Sequence, residues 1–219
     1  MASSPDRLTP LQRDLLLAFF DREQGFFLTG GAALAGFYLH HRETTDLDFF
    51  THDSDAFERG AYALRAAADH VGAEVSVKQE APGFRRYLVT RGADSVLVDT
   101  VWERVKAAYP EKRMEGRVVL DSAEEITVNK LTTLVSRSEP RDIVDLMLLE
   151  RAGLSIDAAL PRALEKDGGC TPATLAWVLS QVTIPDGAAL PAGVSAAETR
   201  AFLGNLVERM LEAAAPAKS

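Results

Sequence analysis

The run Asp46-Leu47-Asp48-Phe49-Phe50-Thr51 constrains this chain more than any other stretch. In a strand, residues two apart point to one face, so Asp46 and Asp48 project side by side while Leu47 and Phe49 turn to the other side. Two carboxylates that close raise each other's pKa unless a cation neutralises them. The run is therefore either an exposed strand end or one half of a cation site. Hard oxygen donors favour magnesium, with manganese as the alternative, and no His/Cys cluster competes for zinc.

What precedes the run narrows the choice. "FFLTGG" reads as a buried strand entering a tight turn, and Leu34, Phe37, Tyr38 and His41 recur at helical spacing, which predicts a helix over 32–42. Gly30 and Gly31 let the backbone approach a polyphosphate, and the amino end of the next helix offers N–H groups to its oxygens. His40 and His41 fall near a helix end, where a cation meets the helix dipole favourably, and Arg42 is a candidate phosphate ligand. Further on, Asp99 interrupts the apolar strand "VLVDTV". It is either a third carboxylate or the partner of a nearby arginine. Three such carboxylates suit in-line attack on a phosphoryl group, with two metals about 3.5 to 4 Å apart.

The rest of the chain divides by period. Thr9 and Pro10 open a first helix, Asp53 or Ser54 caps another over about 55–70, and Gly72 closes it. "EVSVKQ", "FRRYLVTRG" and "SVLVDTVWE" predict three antiparallel strands, with Pro82-Gly83 and Gly92-Ala93-Asp94 as turns. From Asp121 the reading is helical, over about 122–136, 139–151, 155–166, 172–181 and 196–213, and the tail "EAAAPAKS" is expected to fray. The expected fold is α+β: a small mixed sheet in an α/β domain, 1–120, followed by a helical domain, 121–219, with a ligand site between them.

Composition excludes several classes. With 47% hydrophobic residues in 219, the chain can bury an ordinary core. A net charge of −8 argues against a generally basic nucleic-acid binder, and the Arg and Lys residues between Arg85 and Arg117 alternate with acids as on a mixed surface. No apolar run reaches the roughly 20 residues that span a bilayer, and "MASSPDRLTP" lacks the regions of a signal peptide, so a cytoplasmic protein without membrane partners is expected. The lone Cys170 has no internal disulfide partner.

The glycine turn, helix, D-x-D strand and later strand aspartate resemble the nucleotidyltransferase fold of the DNA polymerase beta superfamily. More narrowly, "FLTGGAALAGFYLHHRETTDLDFFT" and "AEEITVNKLTTLVSRSEPRDIVDLMLL" are similar to the AbiEii/AbiGii nucleotidyltransferase toxin family, over roughly residues 8–151; the last 65 or so match only as generic helices. The resemblance implies a polymerase-beta-like domain in which Asp46, Asp48 and Asp99 bind Mg2+, Lys130 reaches the triphosphate, and Asp142 is tied to activity. Read from the residues alone, Asp145 with Arg141 only braces the helices. After the glycines the superfamily usually places Ser or Thr; Ala32 stands here, which implies weakened or altered nucleotide contact. The implied reaction moves a nucleoside monophosphate from an NTP to an acceptor, expected to be the 3′ end of tRNA. The chain would act as the toxin of a toxin–antitoxin pair with a cognate antitoxin. The alternatives are a protein-NMPylating enzyme and a catalytically weakened module of the same fold that binds nucleotide or a partner.

Overall fold

In a computed structural model that describes residues 7–216, the chain forms two compact units. One is built from residues up to Lys106 plus Pro110–Ser122, the other from Ala107–Tyr109 and the residues from Ala123 onward.

The first unit runs α1 (Pro10–Phe20), β1 (Phe27–Thr29), α2 (Gly30–Ala33), a π-helical turn (Leu34–Tyr38), β2 (Asp46–Thr51), α3 (Ser54–His70), β3 (Glu74–Ala81), β4 (Phe84–Arg91), β5 (Asp94–Trp102), β6 (Lys112–Glu115) and β7 (Val118–Asp121). Thr9 and Gln12 close a capping box at α1, and Pro10 occupies its first turn. The seven strands make one mixed sheet in the order β3-β4-β5-β2-β1-β7-β6. The β3-β4-β5 meander is antiparallel as the turns implied, while β2 runs parallel to β5.

One sheet face is covered. Leu47, Phe49, Tyr87, Val89 and Val98 are buried there against α1 and α3, with the Phe19 and Phe49 rings stacked at 4.3 Å. The opposite face carries Asp46, Asp48, Phe50, Phe84, Arg86, Leu88 and Leu97, all only partly buried. This asymmetry follows from the alternation in β2, whose residues switch between half-buried and buried along its whole length.

Two expectations change. The helix predicted over 32–42 starts at Gly30 and ends at Tyr38, because its last turn widens into a π-helix and His40 then takes φ +49°, a left-handed conformation that ends helical bonding. His40 and His41 thus lie beyond the helix. The β6-β7 hairpin was not foreseen, and with it Asp121 ends a strand.

The second unit holds α4 (Ala123–Ser136), α5 (Pro140–Arg151), α6 (Ile156–Lys166), α7 (Pro172–Ser180), a short 3-10 turn (Pro191–Gly193) and α8 (Ala196–Ala214). Each helix lies within two residues of its predicted span. Leu131, Ile143, Leu146, Leu175, Leu206 and Met210 join one apolar core. Cys170 is fully buried in it, and burial, aided by the negative charge of Asp167, pushes its thiol up to about 12, so it is no nucleophile at neutral pH. Helix α8 carries into the tail expected to fray, whose last three residues lie outside the described residues, as does the opening MASSPD. No helix among the described residues is long and apolar enough to cross a membrane.

Candidate active site

Strand register brings the predicted residues of the first unit into one line on the open face. Arg86 in β4 is paired with Asp99 in β5, Asp99 with Asp48 in β2, and Asp48 with Thr29 in β1. Paired residues on neighbouring strands project to the same side, so the line is a row of adjacent side chains. It continues across the sheet. The Thr29 hydroxyl donates to Asp121 Oδ2 at 2.8 Å, and Lys112 Nζ lies 2.8 Å from Asp121 Oδ1. A polar row thus crosses six strands, with three carboxylates inside it and a cation at each end.

Asp46 stands two residues from Asp48 on the same face, its Oδ1 accepting from Thr44 Oγ1 at 2.7 Å. The three predicted metal ligands therefore share one face. Asp99, 7% exposed, is held by both oxygens: Arg86 Nε donates to Oδ1 at 2.8 Å and Nη2 to Oδ2 at 2.6 Å. The alternative of a nearby arginine partner for Asp99 is thus realised. Hydrogen bonding to Asp99 raises the Arg86 guanidinium above its ordinary pKa against the desolvation of its partial burial, and the charges of Asp48 and Asp46 add to the rise. Among the described residues, no three His, Cys, Asp or Glu side chains are grouped so as to hold a metal ion.

The glycine turn closes on this row. Gly30 has φ +63°, and a Cβ placed on it would meet Asp48 Oδ2 at 2.5 Å; a Cβ on Gly31 would meet the Arg42 guanidinium at 2.7 Å. Glycine is thus required at Gly30 by the left-handed backbone and by the nearby Asp48 carboxylate, whereas at Gly31 a Cβ would displace the flexible end of Arg42. Thr29 is the N-cap of α2, yet its side chain makes no capping bond to the helix, its hydroxyl being directed to Asp121. Ala32 is fully buried, backbone included, so its methyl belongs to the core, while Gly30 and Gly31 before it are only partly buried.

Lys130 and Asp142 meet within the helical unit. Lys130 Nζ lies 2.9 Å from Asp142 Oδ1 and 2.7 Å from Asp145 Oδ2, and both aspartates are fully buried. Asp145 was expected to brace with Arg141; it pairs with Lys130, and Arg141 pairs with Glu139 at 2.7 Å. Asp142 Oδ2 has no hydrogen-bond partner among the described residues. Sequence reading missed the roles of Arg86, Thr29, Asp121 and Lys112. The cations between Arg85 and Arg117 are largely tied up as a mixed surface would have them: Arg85 with Glu58 and Glu80, Arg91 with Asp14, Arg113 with Glu115 and Arg117 with Asp21.

A carboxylate pair beside a glycine turn suits binding of a cation and a polyphosphate; solved structures of known proteins share the fold that presents it. A putative nucleotidyltransferase from H. pylori matches the fold with TM-score 0.59 at 20% identity, over 92% of each chain. MenT4, a nucleotidyltransferase toxin from Mycobacterium tuberculosis, matches with TM-score 0.60 at 16% identity, over 94% of this chain and 83% of that one. JHP933 from Helicobacter pylori matches with TM-score 0.59 at 20% identity, over 92% of this chain and 89% of its own. No curated protein matches in sequence. The family model for the nucleotidyl transferase AbiEii toxin of type IV toxin–antitoxin systems matches residues 14–216, so the similarity runs past residue 151 through the last helices. With the match spanning both units, the chain belongs to the AbiEii family of nucleotidyltransferase toxins.

Proposed function

We propose that the chain transfers a nucleoside monophosphate from an NTP to the 3′ end of tRNA, using Mg2+ held by Asp46 and Asp48 with Asp99 as third carboxylate, and that a cognate antitoxin restrains it. The observation that carries the reading is the row on the open sheet face, where Asp48 and Asp99 are register partners and Asp46 stands beside them. Carboxylate oxygens are the donors that Mg2+ and Mn2+ prefer, and with Asp99 paired to Arg86 the three are not grouped around one ion as they stand. A bound divalent ion supplies charge neutralisation for in-line attack and for departure of pyrophosphate.

The chain's own residues supply the rest. The amino end of α2 offers the N–H groups of Gly30 and Gly31 to phosphate oxygens, and Arg42, packed against Gly31, adds a guanidinium fork. Backbone donors suffice there without the hydroxyl that Ala32 lacks. Lys130 and Asp142 contribute to activity as one charge cluster with Asp145.

The test is transfer of label from each α-labelled NTP with Mg2+, offered purified tRNA in one arm and a protein lysate in the other. Label on tRNA supports the reading, and label on protein alone replaces the acceptor with a protein hydroxyl. A second reading rests on Ala32: a binding module would take up NTP calorimetrically and release no pyrophosphate. Absence of both label transfer and pyrophosphate release would sink the catalytic proposal.

Gly30→Ala is expected to damage both fold and site. The left-handed backbone costs a residue with a Cβ about 1–2 kcal/mol, and the added methyl must push the Asp48 carboxylate aside. Urea denaturation should show a loss of that size, and label transfer should fall more than tenfold, on the order of what a misplaced ligand costs.

A further inference from the structure

We infer that Arg86 is a built-in competitor of the divalent cation: its guanidinium holds Asp99, and the metal gains the third carboxylate only as that ion pair opens. The inference rests on the proposed reading of Asp46, Asp48 and Asp99 as metal ligands. Both Asp99 oxygens are engaged by Arg86, at 2.8 and 2.6 Å, so a cation bound through Asp99 must displace at least one of these bonds. The same guanidinium feels the charges of Asp48 and Asp46, so all three carboxylates act on it.

The two partners differ in freedom. The Asp99 side chain is 10% exposed and short, fixed on a central strand, whereas that of Arg86 is 42% exposed and long. Opening the pair therefore means that the arginine moves. Its guanidinium already lies 5.6 Å from the Phe84 ring centroid, a contact that does not need Asp99. Released from Asp99, a planar fork beside the site is suited to phosphate oxygens, which would link metal loading to polyphosphate binding. Arg86 is thus a positioning residue, acting through Asp99.

Calorimetric titration of Mn2+ into the full chain tests this without turnover. Arg86→Gln should bind Mn2+ about tenfold tighter than wild type, the order of effect expected when a neighbouring like charge is removed from a cation site. Arg86→Lys, which keeps the charge and loses the fork, should fall between. The gain must vanish in the Asp99→Asn background. Arg86→Gln should also melt lower without Mn2+ and gain more from it. Unchanged or weaker Mn2+ binding in both arginine variants overturns the inference, as does a gain that survives Asp99→Asn. Asp48→Asn separates this result from the underlying reading: if it leaves Mn2+ affinity intact, the metal assignment fails, whereas if it abolishes binding while the arginine variants match wild type, only the role of Arg86 falls.

Discussion

Asp48→Asn is expected to lower nucleotidyl transfer on the order of 10³-fold, because removing one metal carboxylate forfeits several kcal/mol of transition-state stabilisation and each 1.4 kcal/mol is tenfold. Asp48 is the pivot of the row, register partner of Asp99 on one side and Thr29 on the other, with its Oδ2 against Gly30. The same change should leave the fold intact or slightly firmer. Asp46, Asp48 and Asp99 stand together on one sheet face and all act on Arg86, so deleting one negative charge relieves repulsion among them. Opposite signs in the two measurements, transfer collapsing while the melting temperature holds or rises, distinguish a ligand from a structural residue. A fall in melting temperature alongside the loss of activity would instead assign Asp48 to the fold, and retained activity would remove it from the site.

Much of this site was legible because it is local. The D-x-D spacing fixes two carboxylates on one strand face whatever the tertiary structure, and β2 alternates as the spacing requires. The helices of the second unit carry their own caps: Ser155, Thr171 and Ser195 each accept from a backbone N–H at the start of a helix. Arg86 was missed for want of one residue of turn. A turn of Gly92-Ala93-Asp94 leaves the β4-β5 register open, but the actual loop is Gly92 and Ala93 alone, with Arg91 opposite Asp94. Counting back along that hairpin puts Arg86 opposite Asp99, whereas a slip of one residue would turn it to the other face. The β6-β7 hairpin was hidden differently. Its strands have four residues each, β6 reads as part of the charged surface, and β7 joins the sheet by parallel pairing of Leu120 with Leu28, a contact no local period reports. Asp121 and Lys112 enter the row through that long-range pairing.

Lys130→Met should destabilise the chain by about 3–5 kcal/mol, the range for removing one partner of a buried charge pair. Lys130 Nζ lies 2.9 Å from Asp142 and 2.7 Å from Asp145, and Arg137 reaches Asp142 at 3.5 Å. Without the lysine, two fully buried carboxylates on one helix face confront each other. Urea denaturation should therefore show a large drop, and adding Asp142→Asn and Asp145→Asn should recover most of it, since neutral amides no longer need the cation. Transfer activity in that re-stabilised variant decides what the cluster is for. Asp142 Oδ2 has no hydrogen-bond partner among the described residues despite full burial, which leaves one acceptor of the cluster for a water or a ligand. The expected result is a chain that folds like wild type and transfers little or no label. Recovery of transfer together with stability would make Lys130, Asp142 and Asp145 a brace between α4 and α5 and would take Lys130 away from the triphosphate.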